Sequence, residues 1–254
     1  MAVAAAWPIW AVSAGAVLGG IVRPFGWPEW VWAIAGVAAL VALRLLTPMD
    51  AWLGLMSGVD VLLILTGMML LSEVARQHGL FTWLAAYAVA KARGSAARLF
   101  TIIYAVGIAV TVLLSNDATA VVLTPAVAAA ARSAGVRSPL PYLFACAFVA
   151  NAASFVLPIS NPANLVVYGS HLPPLAQWLR LFSVPSVLAI GMTYAVLRWS
   201  QRADLVQGIA PSIDRPHLAR SGRWAAAGLL AGPPYYSGRQ HSGYRLAHPR
   251  LGRP

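Results

Sequence analysis

Two short polar runs interrupt otherwise apolar sequence: Ser115-Asn116-Asp117, and Ser160-Asn161-Pro162 followed by Asn164. Serine and asparagine side chains both donate and accept hydrogen bonds, so with backbone groups freed at a helix break they can coordinate a small polar solute or ion. Asp117 adds a titratable carboxylate able to alternate between a proton and a solute. Thr119 and Thr124 are placed to line the same cavity, although threonine hydroxyls in membrane helices often bond their own backbone. Ser and Asn at such points also cap broken helices. Capping and binding are compatible, and the position of the runs deep in apolar sequence favours binding. Asp60 lies inside a third apolar stretch, 53–71, where a lone ionised carboxylate must face protein, water or a partner. It is a candidate for proton coupling beside Asp117; the alternative is a later-starting span that leaves Asp60 near the interface with Pro48 and Asp50.

Other chemistry is poorly represented. Cys146 is the only cysteine, which excludes an internal disulfide and a thiolate cluster. In an apolar helix it reads as a packing residue, and as a single thiol it would make a weak site for a soft metalloid. His78, His171, His217, His241 and His248 are scattered without ligand spacing, so no metal centre is expected. No G-x-x-x-x-G-K-[ST] loop is present, and no cofactor is expected. Any pumping would draw on an ion gradient or on another subunit. Asp60 and Asp117 could form an intramembrane catalytic pair, but Gly58-Val59-Asp60 lacks the second glycine such proteases place beside the aspartate. The reading is therefore not an enzyme.

The elements that must position these residues follow from composition. The chain has 254 residues, 59% hydrophobic and 10% charged, with a mean hydropathy of +0.71, which is far too apolar for a soluble domain. It predicts an all-α polytopic membrane protein. The apolar block 99–131 is too long for one span of about 20 residues and too short for two spans with a turn. It fits a re-entrant hairpin with Ser115-Asn116-Asp117 at its tip, because backbone that leaves the helix at membrane depth must be buried in protein or line a wet cavity. Residues 139–170 then predict a broken helix: Pro158 and Pro162 each lack an amide donor and clash with preceding carbonyls. A discontinuous helix facing a hairpin tip is how secondary transporters build a binding site.

Spans are also expected at 5–22, 30–46, 53–71 and 184–197, with 72–93 giving a helix lying partly in the interface and 171–180 a linker and short interfacial helix. Trp7, Trp10, Trp27, Trp30 and Trp32 suit interfacial anchoring. The net charge of +11 comes from Arg and Lys at the ends of apolar blocks. That placement is topological, the basic ends being cytoplasmic, and no basic stripe of the kind that binds nucleic acid is present. Residues 201–254 form a polar, basic tail without periodicity, as a disordered segment or a frameshifted reading would give.

LLSNDATAVVLTP within the hairpin, ANAASFVLPISNPANLVVYG at 150–169 and DVLLILTGMMLLSEVA at 60–75 together resemble the arsenical pump membrane protein family of the ion transporter superfamily. The resemblance covers about residues 1–200. It implies one repeat of an inverted-repeat transporter that exports arsenite or antimonite in exchange for protons across the cell's inner (plasma) membrane. Related branches move dicarboxylates with sodium or exchange sodium for protons. Family members carry a second repeat with its own hairpin that this sequence lacks, so a truncated chain is expected. It would be completed by a homodimer or a separate half, would work with or without an ATPase subunit, or would be a non-functional membrane fragment.

Overall fold

The computed structural model describes residues 7–168 and 172–209, without the side chains of 57, 60 and 61. Regular structure among these residues is helical: α1 (Trp7–Val22), α2 (Glu29–Ala42), α3 (Pro48–Gln77), α4 (Leu80–Ala92), α5 (Ala96–Leu113), α6 (Thr124–Ser133), α7 (Leu140–Ala152), α8 (Pro162–Tyr168) and α9 (Leu175–Ser200). A π turn (Ala118–Leu123) precedes α6 and a 3-10 turn (Pro158–Ser160) precedes α8. The chain divides into two compact units, Met1–Leu63 and Ile64–Pro254.

In the first unit α1 and α2 pack through small residues, which let helix backbones approach closely where no hydrophobic effect drives association. A Cβ on Gly19 would lie 2.4 Å from the Trp32 ring, and one on Gly36 would lie 2.6 Å from Ala16 Cβ. Trp7, Trp10, Trp27 and Trp30 are exposed as interfacial anchoring requires, whereas Trp32 is not an anchor of this kind. Its ring fills the seam against Gly19 because glycine leaves room there. Arg23 and Glu29 form an exposed ion pair at the turn. Asp60 lies in α3, and its side chain is outside the described residues.

The second unit holds the core. α4 and α7 each pack against both α5 and α6, so the two arms of the 99–131 block are clasped between them. α4 buries Phe81, Ala85, Ala88, Val89 and Ala92. It is thus a packed helix of the core. Gly79, at φ +72, makes the reversal from α3 that turns it inward, a conformation glycine adopts without a Cβ clash. α5 (18 residues) and α9 (26 residues) are long and apolar enough to cross a membrane, and α1, α2, α4 and α7 are shorter apolar helices.

The linker and interfacial helix expected at 171–180 and the span expected at 184–197 are, from Leu175 on, one helix, α9, which continues through Pro185. Its start belongs to the protein interior: Trp178 is fully buried, donates from Nε1 to Phe155 O at 3.0 Å and stacks on Phe182 at 4.3 Å. The outer face of α9 is the reverse, with Val184, Val187, Leu188 and Met192 exposed.

The polar tail does not begin at residue 201. Residues 201–209 fold back across the bundle end with Leu205 and Ile209 buried. Ile209 N donates to Gly94 O at 2.9 Å, Ser95 bridges Gly208, and Arg137 N donates to Gln207 Oε1 at 3.1 Å. These bonds place the α4–α5 loop, the α6–α7 loop and the end of α9 at one end of the unit. The block that starts after Ser95 therefore begins and ends at the same end of the unit. The expected tail beyond 209 lies outside the described residues.

Candidate functional site

Both polar runs mark helix breaks, and the structure joins them. α5 ends at Leu113, and the chain reverses through Leu114 and Ser115 into the second arm. Ser115 Oγ accepts from Ala118 N at 3.2 Å and so caps that arm. One turn on, the helix widens into the π turn: the amide of Thr124 bonds Thr119 O, and its hydroxyl donates to the same oxygen at 2.9 Å. Such widened turns recur at functional sites because they re-aim neighbouring side chains. Here the Thr119 hydroxyl is directed across the hairpin to Thr111 Oγ1 at 2.8 Å, with both residues fully buried. The two arms are thereby pinned next to the reversal. Gly107 allows the third wall to close in, since a Cβ there would lie 2.5 Å from Val149 Cγ1 of α7.

The second break starts earlier than the prolines suggest. α7 ends at Ala152, six residues before Pro158, because the stretch 153–161 is held unwound by its own set of bonds. Asn164 Nδ2 donates to Ser154 O at 2.9 Å and to Pro158 O at 3.3 Å. Trp178 covers Phe155 O, and Leu157 N donates to Ser160 Oγ at 3.2 Å. Carbonyls that a continuous helix would have satisfied are thus served by side chains. The two breaks meet where Ser160 Oγ donates to Val112 O, in the last turn of α5, at 3.3 Å.

The seven side chains singled out from the sequence fall into two groups. Ser115, Thr119, Ser160 and Asn164 are buried, and their hydrogen bonds hold the two breaks in shape. Asn116 and Asn161 are half-buried and Asp117 is exposed. Asn116 Oδ1 accepts from Asp117 N and Asn161 Oδ1 from Ala163 N, each at 2.9 Å. The amide nitrogens of both asparagines and the Asp117 carboxylate have no hydrogen-bond partner among the described residues. No Arg or Lys occurs between Arg98 and Arg132 or between Arg137 and Arg180, so neither break carries a cation in its own sequence.

Thr124 bonds backbone, as threonine commonly does. Cys146 is fully buried in the core. No cluster of three His, Cys, Asp or Glu able to hold a metal occurs among the described residues. Sequence reading missed Thr111, Ser154 and Trp178. The first two resemble any hydroxyl in an apolar helix, and Trp178 gives no local sign of the carbonyl it reaches.

A family model described as a citrate transporter matches residues 10–231. An uncharacterized transporter of Mycobacterium tuberculosis is 29% identical over 137 residues, 53% of this chain and 32% of that protein. An arsenical pump membrane protein of Yersinia enterocolitica is 29% identical over 171 residues, 63% of this chain and 40% of its own length. Another arsenical pump membrane protein, from Escherichia coli, is 34% identical over 138 residues, 54% of this chain and 32% of its own. The matched regions thus span 32% to 40% of these curated relatives. No solved structure matches the chain.

Proposed function

The chain belongs to the citrate transporter family of membrane proteins, and from that premise we propose that it is a secondary transporter that moves arsenite or antimonite outward across the cell's inner membrane in exchange for protons. The observation that carries this reading is the exposed carboxylate of Asp117 beside Asn116, at the helix break that Ser160 Oγ ties to the break bearing Asn161, in sequence without a nearby cation. Arsenite as a neutral trihydroxide asks for hydrogen-bonding groups and no fixed counter-charge, whereas a polyanion asks for Arg or Lys. The arsenical pump relatives support the same solute.

In this mechanism Asn116 and Asn161 orient the solute hydroxyls, and Asp117 gives up its proton as the solute engages and takes one back after release. Ser115, Thr119, Ser160 and Asn164 keep the breaks unwound and pre-shaped. The 99–131 block acts as a re-entrant hairpin entering from the basic, cytoplasmic side. The unit acts as one repeat of an inverted-repeat architecture, paired with a second copy or with another half, and Asp60 is a further proton-coupling candidate. A second reading, sodium-coupled transport of a carboxylate anion or sodium/proton exchange, is favoured by the description of the family model.

The test uses everted membrane vesicles carrying the full chain and labelled arsenite, with citrate as competitor. Arsenite uptake that follows an imposed pH gradient, ignores sodium and is lost in Asp117→Asn is the expected result. Sodium-dependent citrate uptake would replace this reading with the second one.

A further inference from the structure

We propose that the groove between α7 and α9 binds one acyl chain of an anionic phospholipid whose headgroup rests on the basic end of the bundle. The groove has a volume of about 480 Å³ and is walled by Phe144 and Phe148 from α7 and by Met192 and Val196 from α9. Its walls are ready to be covered: Phe148 is 52%, Met192 66% and Val196 58% exposed. The two phenylalanine rings meet edge to face at 6.3 Å, leaving an apolar trough beside them. The groove is closed at one end by polar residues, Ser200 and Gln201.

That polar end lies where the bundle concentrates its charge. Lys91 and Arg93 end α4, Arg98 opens α5, Arg132 and Arg137 flank the α6–α7 loop, and Arg198 and Arg202 close α9; all are exposed. The acidic group facing them from the packed elements is Asp204, which is half-buried. The hydrogen bonds from Ile209 to Gly94 and from Arg137 to Gln207 hold these loops at one level. Arg202 follows Gln201 directly and lies over the Trp199 ring at 5.4 Å. An apolar trough that ends on a hydroxyl and an amide and then on guanidinium groups is complementary to an amphiphile with a negative head. Basic clusters at the membrane surface attract anionic lipid in this way. A partner helix would need an apolar surface along its whole length and would leave the cationic rim unmatched.

The experiment is retention of lipid by the full chain, purified after exchange into equal amounts of phosphatidylglycerol and phosphatidylcholine and read by native mass spectrometry. Phosphatidylglycerol should be retained several-fold over phosphatidylcholine. The exposed-site double variant Arg137→Gln/Arg202→Gln should lose that preference without a change in elution, and Met192→Trp, which fills the trough, should reduce retention of both lipids. Excess glycerol phosphate should displace nothing. Equal retention of the two lipids, a preference that survives the double variant, displacement by glycerol phosphate, or a change in oligomer mass on filling the trough would each overturn the proposal.

Discussion

Asp117 and Asn164 show two fates of a polar side chain in apolar sequence. Asn164 is buried and spends both amide protons on the carbonyls of Ser154 and Pro158. Replacing it by alanine strands those oxygens in an apolar setting, a loss of about 1–3 kcal/mol. Thermal unfolding of the detergent-solubilised chain should register it, and Asn164→Asp should not restore the stability, because an ionised carboxylate accepts but cannot donate. Asp117 has the opposite profile, with an exposed carboxylate that no hydrogen bond among the described residues engages. Asp117→Asn should therefore leave the melting temperature near that of the parent while abolishing pH-driven arsenite movement. Normal pH-driven transport in that variant would remove Asp117 from the coupling role.

At the scale of elements, α5 and α7 approach as closely as they do because Gly107 offers no side chain to Val149. Gly107→Ala should destabilise by about 1–3 kcal/mol through overpacking. Val149→Ala in the same chain should recover part of that loss by removing the methyl groups the new Cβ meets. A recovery absent from the unfolding curve would mean that the closeness of α5 and α7 has another origin. The end of α3 provides an electrostatic contrast. Arg76 and Gln77 hydrogen-bond Glu73 and hold its carboxyl at about 2, below the usual carboxylate range. A depressed folded value gives any contribution of the pair the sign of one present above the usual carboxylate range and lost as pH falls toward 2, and solvent screening of this exposed pair keeps it small. Because the pair is exposed, Glu73→Gln should leave the melting temperature at neutral pH unchanged.

At the scale of the whole second unit, the strand-like strap after α9 ties loops that are far apart in sequence. Leu205 is 6% and Ile209 8% exposed, and both join the cluster that includes Leu99 and Ala92. Leu205→Ala should cost about 2–4 kcal/mol, somewhat below the upper end for a buried leucine since the strap can settle into the space. The strap should also open more often, so trypsin should cut at Arg202 faster in the variant than in the parent. Equal cleavage rates would show that the strap is not held by its apolar contacts. The same strap sets the α4–α5 and α6–α7 loops at one level. It thus bears on the basic rim of the bundle end as much as on stability.

Composition alone determined that this chain is helical and membrane-embedded, since apolar runs of this length have no other way to satisfy their backbone. The prolines at 158 and 162 and the Ser-Asn runs likewise signalled both breaks, though not that the second begins at Ala153, because proline cannot donate to a helix and Ser and Asn offer the backbone a substitute partner. Local sequence could not tell which of those polar groups would be consumed in holding the breaks. Asn164 and Asn161 belong to the same run, yet one reaches back to Ser154 and Pro158 while the other keeps its amide nitrogen open. Nor could it foresee that Trp178 would turn an expected interfacial segment into the first turns of α9, or that Leu205 and Ile209 would be drawn from a polar tail into the core. Those outcomes depend on carbonyls and cavities supplied by residues six or more positions away, beyond the reach of one helical turn. Periodicity and propensity report only the near neighbours of each residue, so the tertiary structure alone decided them.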